Sequence, residues 1–285
     1  MSEIKVAVMG AGKMGGAIVR RLKSQGFDVS VWDRTRRYAE ALGVARVADS
    51  PAAAARAADV VLSILTGPQA VRDVYFGRGG VLEGAAGKTL VEMSTAGPGI
   101  EQELARAAPL NGATLIEAPV IGSVPAIESG TLVILGGAAH AEDLEPARPV
   151  LQQLGELHYI GPLGSAAALK LVANGFLAIV SAAAAELMAA GARRGLDPER
   201  IFWVLSRAAP GLKVREAGFV RHVHEPALFA ARDLLKDLDL GLSLYDGARL
   251  PLTSVARDLF AKVAAQTPGF DISAIVQAYS NEAQS

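Results

Sequence analysis

The chain has 285 residues, of which 51% are hydrophobic and 20% charged, and its formal net charge is −1. This length exceeds that of a usual single domain, so two domains are expected, and the composition is typical of a soluble globular protein. The near-neutral charge, without any basic run, argues against binding to nucleic acid or to a membrane surface. Disulfides and thiolate metal sites are excluded because the sequence has no cysteine. The N-terminus runs directly into a strand pattern and no stretch reads as a membrane span, so we expect a cytoplasmic protein without a signal peptide.

Short β-branched runs alternate with amphipathic segments in the first half of the chain. The predicted strands are residues 5–9, 28–32, 60–64, 89–92, 114–117 and 132–136. The predicted helices between them are residues 15–25, 37–42, 51–57 and 100–111. This alternation predicts βαβ units and a parallel sheet. Right-handed crossovers then give an α/β Rossmann-type doubly wound sheet.

The pattern changes near Gly161, beyond which helix formers dominate. Residues 165–194 contain no proline and predict one helix of about 45 Å, at 1.5 Å per residue. Asp197 and Pro198 fit the cap and first position of the next helix. Further helices are predicted over residues 198–206, 228–245, 252–266 and 272–280. We therefore predict a dinucleotide-binding domain over residues 1–162 and an all-α substrate and dimerisation domain over residues 163–285, joined by the long helix.

A glycine-rich turn follows the first predicted strand and opens the first predicted helix. In this motif the first glycine permits a tight turn, the second lets a pyrophosphate approach the backbone, and the third allows close helix–strand packing. The helix N-terminus adds free N–H groups and a positive dipole. A structural glycine turn is the alternative, but the strand–turn–helix context favours cofactor binding. The residues predicted to bind the dinucleotide here are Gly10, Ala11, Gly12, Lys13, Met14 and Gly15.

Cofactor choice depends on the end of the second predicted strand, where Asp33 lies 18 residues beyond Gly15. A carboxylate at about this spacing accepts hydrogen bonds from the ribose hydroxyls and repels a 2′-phosphate, which favours NAD. Arg34 and Thr35 argue for NADP, because a guanidinium and a hydroxyl can bind a phosphate. The alternative for Arg34 is stacking on the adenine. All three residues are predicted cofactor contacts, with a slight preference for NAD and with NADP left open.

Lys170 is the only lysine between Lys88 and Lys213, and it lies on an apolar, alanine-rich part of the predicted long helix. Hydride delivery to a carbonyl requires a proton donor within reach of the oxygen, and the same group removes the hydroxyl proton in the reverse direction. Lys170 suits this role if burial lowers its pKa from the usual value of ~10.4. A lysine that snorkels to solvent is the alternative. Asn174, one turn later on the same face, can donate to the substrate oxygen and orient the ammonium, or it can simply bond a neighbouring helix.

Four segments, in order, resemble the β-hydroxyacid dehydrogenase family, which includes 3-hydroxyisobutyrate dehydrogenase and glyoxylate or succinic semialdehyde reductases. They are the glycine turn, residues 117–123 continuing to 129–132, residues 161–174 and residues 236–238. The resemblance implies an NAD(P)-dependent oxidoreductase acting on CH–OH donors, with Lys170 and Asn174 as its catalytic residues. It also implies that Gly122 and Ser123 bind the substrate carboxylate. The family often has serine followed by two glycines where this chain reads Ile121-Gly122-Ser123, which favours a more apolar or narrower pocket.

Further cofactor contacts are predicted at the carboxyl ends of strands, where doubly wound sheets bind ligands. Leu65 and Thr66 follow one such strand. Thr95 follows the next and resembles a family residue that contacts the cofactor, with a helix cap as its alternative. Lys236 lies in a segment similar to one that closes over the nicotinamide, and its alternative is a solvated helix charge paired with a neighbouring aspartate.

The segment His222-Val223-His224-Glu225 superficially suggests a metal site. Its ligands would alternate along an extended loop, and no third cluster completes the set, so we expect a solvated loop and no metal. The hydride carrier is then expected to supply the chemistry.

The leading hypothesis is reversible oxidation of a small β-hydroxy acid, such as 3-hydroxyisobutyrate, to its semialdehyde. The alternatives are an NADPH-dependent glyoxylate or succinic semialdehyde reductase, a related imine reductase and, outside enzymes, a cofactor-sensing dinucleotide-binding module. The long alanine-rich helix exposes more apolar surface than one small domain covers, so a homodimer or higher homo-oligomer is predicted. The expected partners are a small carboxylate substrate and a second copy, and neither nucleic acid nor a membrane.

Overall fold

The structure, a computed structural model, describes residues 4–43 and 45–280. These residues form two compact units that divide between Lys170 and Leu171. The sequence places the boundary at residue 162, before the long helix, whereas the compact units divide within that helix. The outermost residues of the two predicted domains, 1–3 and 281–285, lie outside the described residues.

Within the described residues, the first unit carries a nine-stranded sheet. Its strands are β1 (Lys5–Met9), β2 (Asp28–Trp32), β3 (Arg46–Val47), β4 (Val60–Ser63), β5 (Thr89–Glu92), β6 (Thr114–Glu117), β7 (Val120–Ile121), β8 (Leu132–Gly137) and β9 (Gly155–Gly161). The spatial order is β3-β2-β1-β4-β5-β6-β8-β7, and β9 pairs with β8. Strands β1 to β6 run parallel, whereas β8 is antiparallel to β6. The strand order reverses between β1 and β4, which is the switch point where doubly wound folds bind ligands.

Both faces of this sheet are covered by helices. They are α1 (Lys13–Ser24), α2 (Arg36–Glu40), α3 (Pro51–Arg56), α4 (Pro68–Phe76), α5 (Pro98–Leu110), α6 (Val124–Ser129) and α7 (Arg148–Leu151), with 3₁₀ turns at Val81–Gly84 and Ala141–Leu144. Along β1, Val6 and Val8 enter one hydrophobic core, whereas Ala7 enters the other. Because side chains of a strand alternate between its faces, both sides of the sheet are buried. The predicted Rossmann-type doubly wound sheet is confirmed.

Three strands of the sheet are absent from the sequence prediction. β3 and β7 are two residues long, too short to show a period. β9 pairs only with β8, and most of its seven residues are not buried. Its sequence, GELHYIG, also lacks the continuous β-branched run that identifies the central strands.

The second unit is helical, and the long helix α8 (Ser165–Arg193) runs into it from the first. The other elements are α9 (Pro198–Ala208), α10 (Glu216–Arg221), α11 (Ala231–Leu244), α12 (Pro251–Gln266) and α13 (Gln277–Ser280), with 3₁₀ turns at Pro210–Arg215 and Ile272–Val276. Phe202, Phe219 and Phe260 are fully buried in its core, together with alanines of α8. Asp197 accepts the N–H of Glu199 and caps α9, as predicted. The predicted all-helical second region is confirmed.

Helix α8 is 29 residues long, close to the predicted range. Among the described residues it is the one helix whose length and composition would allow it to cross a membrane, and 44% of its most apolar window is buried in the protein. Buried core helices meet the same test, so this is weak evidence for a membrane span.

Candidate active site

The glycine turn lies at the switch point of the sheet. Gly10 has φ +100° and donates its N–H to the carbonyl of Trp32 at 2.8 Å. A Cβ on Gly10 would lie 2.5 Å from the carbonyl oxygen of Ile64, and one on Gly15 would overlap the carbonyl of Gly10. These two glycines are therefore required by close backbone packing between β1, α1 and the end of β4.

Gly12 differs from its neighbours, because a Cβ built there meets no atom within 4 Å. It is the N-cap of α1, no side chain caps that helix, and no acidic residue lies in its first turn. The first N–H groups of α1 and the adjacent open space therefore fit a dinucleotide pyrophosphate. Of the other predicted contacts, Lys13 begins α1, and Met14 packs against the core of the sheet.

Asp33 holds the glycine turn as well as the end of β2. Its Oδ2 accepts the N–H of Ala11 at 2.8 Å, and its Oδ1 accepts the N–H of Thr35 at 2.7 Å. The carboxylate is therefore fixed beside the turn, where a 2′-phosphate would meet its negative charge. Arg34 is exposed, and Thr35 is the N-cap of α2.

The ends of β4 and β5 are tied together by side chains. Ser94 Oγ accepts the N–H of Leu65 at 2.8 Å, and the N–H of Ser94 donates to Glu92 Oε1 at 2.7 Å. Thr66 is exposed and Thr95 is half-buried. The N-cap of α5 is Gly97, two residues after Thr95.

The predicted substrate loop connects β7 to α6. Gly122 has φ +131°, and a Cβ there would lie 2.7 Å from Leu132 Cδ2, so the chain turns at a position that only glycine fits. Ser123 is the N-cap of α6, but its hydroxyl makes no capping hydrogen bond. Ile121 is 43% exposed, an apolar side chain at the edge of this loop.

Lys170 and Asn174 lie one turn apart on α8, as predicted. Lys170 is half-buried and Asn174 is 4% exposed. Asn174 Nδ2 donates to Asp237 Oδ2 at 2.6 Å, and Lys236 Nζ lies 2.7 Å from Asp237 Oδ1. The ion pair of Lys236 agrees with the alternative that the sequence left open, although Asp237 itself is buried at 2% exposure.

Asp237 is the residue that sequence reasoning missed. The sequence predicts at most a surface pairing of Lys236 with a neighbouring aspartate, because aspartate on a helix is usually exposed. The sequence signal for its burial is its position, because Asp237 lies on the same face of α11 as the buried residues Leu234, Leu238 and Gly241. A carboxylate within an apolar stripe predicts a buried partner, and Asn174 is that partner.

A row of buried polar side chains crosses the carboxyl ends of the strands, and no sequence motif predicts a role for it. Ser63 on β4 pairs with Glu92 on β5, which pairs with Glu117 on β6. Ser63 Oγ donates to Glu92 Oε2 at 2.6 Å. Burial raises the pKa of Glu92, against the hydrogen bonds from Ser63 and Ser94. Burial, followed by the charges of Glu92 and Glu117, raises the pKa of Glu101 on α5 well above its ordinary value.

The expectation of a solvated loop at residues 222–225 is wrong for His224. This side chain is 4% exposed, and its Nδ1 lies 3.1 Å from Ser273 Oγ. Burial lowers the pKa of His224, as does the charge of His222. Beside it, Arg215 and Asp271 form a buried ion pair at 3.1 Å. Over residues 4–43 and 45–280, no three histidine, aspartate or glutamate side chains converge as a metal site would require.

A doubly wound sheet whose glycine turn is open to an anion at the switch point defines a class of protein, the dinucleotide-binding oxidoreductases. Residues 5–161 match the family model described as the NAD binding domain of 6-phosphogluconate dehydrogenase. Residues 164–279 match the one described as NAD-binding of NADP-dependent 3-hydroxyisobutyrate dehydrogenase.

Curated proteins and solved structures agree with these matches over nearly the whole chain. The 3-hydroxyisobutyrate dehydrogenase of Pseudomonas aeruginosa is 34% identical, covering 96% of this chain and 98% of its own. Glyoxylate/succinic semialdehyde reductase 1 of Arabidopsis thaliana is 30% identical, over 96% and 98%. The solved structure of Mycobacterium tuberculosis 3-hydroxyisobutyrate dehydrogenase with L-serine is 28% identical, with a TM-score of 0.84 over 97% and 99%.

The chain belongs to the β-hydroxyacid dehydrogenase family, whose members are NAD(P)-dependent oxidoreductases.

Proposed function

We propose that the protein interconverts a small β-hydroxy acid of the 3-hydroxyisobutyrate type and its semialdehyde, with Lys170 as general acid and base. The observation that carries the proposal is the buried Asn174, which lies one turn from Lys170 and is held by Asp237. The Pseudomonas relative bears the name of this activity. L-Serine, present with the Mycobacterium structure, is itself a three-carbon β-hydroxy acid.

The nicotinamide dinucleotide, when bound, supplies or accepts the hydride. The chain holds it with the first turn of α1 and the backbone of Gly12, and with the loops that follow β2, β4 and β5. The predicted contacts in those loops are Asp33, Arg34, Thr35, Leu65, Thr66 and Thr95. Ser123 and the backbone of Gly122 bind the substrate carboxylate through a hydroxyl and N–H groups.

Proton transfer is the task of Lys170. As a neutral amine it accepts the hydroxyl proton during oxidation, and as an ammonium it returns the proton to the carbonyl oxygen during reduction. Asn174 is oriented for this, because its Nδ2 donates to Asp237. That bond leaves Oδ1 to accept from the ammonium and the second Nδ2 hydrogen for the substrate oxygen.

The direct test is Lys170→Ala, assayed with 3-hydroxyisobutyrate and both dinucleotides. We expect turnover to fall about 10²–10⁴-fold, the usual contribution of a general acid–base, while dinucleotide affinity stays unchanged. Lys262→Ala, which removes an exposed lysine of α12, serves as the control. Turnover within about tenfold of wild type would show that Lys170 is not the proton carrier.

For the cofactor, we propose NAD over NADP. The support is the fixed carboxylate of Asp33, which would repel a 2′-phosphate. Comparing kcat/KM for NADH with kcat/KM for NADPH tests this assignment. Asp33→Asn should bring the two kcat/KM values closer together. Preference of the wild type for NADPH would reverse the assignment and give Arg34 the phosphate-binding role.

A second candidate function is reduction of glyoxylate or succinic semialdehyde, which the 30% identity to the Arabidopsis reductase favours. A panel of 3-hydroxyisobutyrate, glyoxylate, succinic semialdehyde and a cyclic imine separates the candidates by kcat/KM. We expect the β-hydroxy acid to be used best, because Ile121 adds an apolar contact at the loop edge that suits a methyl-bearing substrate.

We also propose that α8 packs against a second copy of the chain. Leu169, Val172, Phe176 and Leu187 are 41%, 49%, 68% and 53% exposed. Their spacing places them on one stripe of the helix, and such a stripe is typical of an interface. Light scattering at micromolar concentration without detergent should give at least a dimer, and Phe176→Glu should weaken it. A monomer in the wild type would contradict the proposal.

A further inference from the structure

Glu117 is a carboxylic acid side chain that is fully buried at the end of β6. Across the sheet it is in register with Glu92 on one side and Gly137 on the other. An ionised carboxyl group without water is costly unless donors surround it. The identity of those donors therefore indicates what the side chain does.

The donors belong to the first turn of α8. Glu117 Oε1 accepts the N–H of Ala166 at 2.7 Å, and Oε2 accepts the N–H of Ala167 at 3.4 Å. The residue before the helix is Gly164, which has no side chain to cap it. A strand side chain 49 residues away thus satisfies the helix end and places a negative charge at its positive pole. Burial raises the pKa of Glu117, whereas the N–H groups of Ala166, Gly164 and Ala167 lower it.

The two segments that Glu117 joins carry the proposed chemistry. Ala166 and Ala167 lie one helical turn before Lys170. In the other direction, Glu117 is followed directly by the segment that leads to Ser123. One carboxylate therefore holds the starting points of both the substrate loop and the helix of the proton carrier.

The packing around Glu117 leaves little freedom. A Cβ on Gly137 would lie 2.5 Å from Glu117 Cγ and 2.7 Å from its Cδ. Glycine at this position thus makes room for the carboxylate. The contact between Glu117 and α8 can therefore be disturbed in two independent ways: by changing the carboxylate, or by adding a methyl group at Gly137 that displaces it.

We propose that Glu117 is a positioning residue, which fixes the first turn of α8, and with it Lys170, relative to the Ser123 loop. It touches neither substrate nor cofactor and acts through Lys170, so the inference rests on the proposed function. Misplacing a reacting group by about 1 Å can cost about 100-fold in rate, which is the scale expected here.

The test compares Glu117→Gln and Gly137→Ala with Glu101→Gln as a matched control. Glu101 is an equally buried glutamate of the same cluster, but its Oε2 has no hydrogen-bond partner among the described residues. We expect both test variants to lose about 10–100-fold in kcat and to keep dinucleotide affinity. Glu101→Gln should keep kcat near that of wild type. Glu117→Asp, which retains the charge, should recover part of the loss.

A double-mutant cycle separates positioning from general damage to the fold. In the Lys170→Ala background, measured at high enzyme concentration, Glu117→Gln should have no further effect on residual turnover. Additive losses, an equal loss in the control, or an unchanged kcat in Glu117→Gln would each overturn the inference. If Glu117→Gln does not fold, Gly137→Ala takes its place in the comparison and in the double-mutant cycle, with the same criteria.

Failure of this inference is distinguishable from failure of the proposed function. An inactive Lys170→Ala beside a fully active Glu117→Gln rejects the positioning role and leaves Lys170 as the proton carrier. An active Lys170→Ala rejects the proposed function, and the role of Glu117 with it.

Discussion

The functional groups of the first unit are mainly backbone groups, whereas those of the second unit are side chains. In the first unit the dinucleotide turn is made of backbone, with Gly10 and Gly15 packed against carbonyl groups and Gly12 facing open space. In the second, the groups around Asn174 are side chains from separate helices, with Asn174 and Asp237 63 residues apart. The backbone site is therefore sensitive to the addition of a single methyl group, whereas the side-chain site is sensitive to the loss of a single charge.

The largest expected effect is on the backbone site. Gly12→Ala should fold like wild type, because its Cβ meets nothing within 4 Å. It should still weaken dinucleotide binding about 100-fold, which is about 2.7 kcal/mol, since the methyl group occupies the space for the pyrophosphate. Titration of the dinucleotide, together with thermal unfolding, measures both quantities.

Gly99→Ala provides the control for this change. Gly99 is also in open space, but it lies in the first turn of α5. The variant should be neutral or slightly stabilised and bind the dinucleotide as wild type does. If Gly12→Ala binds equally well, the pyrophosphate does not lie against Gly12, and the assignment of the turn fails.

The next largest effect should follow loss of charge in the second unit. Asp237→Asn removes the negative charge between Asn174 and Lys236, and we expect kcat to fall about 10–100-fold as the Asn174 amide loses its orientation. Asp239→Asn is the matched control, two residues along the same helix. Its side chain is 50% exposed and pairs with Arg257, so kcat should hardly change. Equal kcat values for the two variants would show that the buried contact does not serve catalysis.

The same contrast explains what could be predicted from the sequence. The glycine turn and the strands at 5–9 and 28–32 are local patterns, and they agree with the structure. Long-range partners have no such pattern. Asp237, Glu92 and Glu117 are charged residues, which composition alone places at the surface. Their burial depends on donors that come from other elements, such as the first turn of α8, and no spacing along the chain encodes those donors.

His224 shows the same limit in a different way. A histidine pair in a polar segment indicates a loop in solvent, yet the chain turns at His222, with φ +57°, and carries His224 inward to Ser273. The direction of a side chain at a turn depends on backbone angles that composition does not specify.

The smallest and most specific expected effect is the contribution of Glu101 to the pH dependence of the free energy of unfolding. Its pKa in the folded protein is raised well above the ordinary value of 4.5, so the folded chain keeps a proton that the unfolded chain releases. Stability must then fall as pH rises above about 4.5, by at most about 1.4 kcal/mol per pH unit, until the folded pKa is reached. Glu101→Gln removes this loss. Urea unfolding from pH 4 to pH 8 should therefore show Glu101→Gln gaining on wild type as pH rises.

Glu103, two residues along α5, provides a contrasting variant, because its pKa is shifted in the opposite direction to that of Glu101. Arg72 donates to Glu103 at 2.6 Å and 3.1 Å, and these bonds lower the pKa of Glu103. A lowered pKa adds stability above the unfolded value, and that stability is lost as pH falls through the folded one. Glu103→Gln should therefore lose slightly relative to wild type at neutral pH, and the difference should vanish in acid, since the pair is partly exposed. Parallel pH curves for the two variants would mean that Glu101 is ionised in the folded protein, which contradicts the raised pKa.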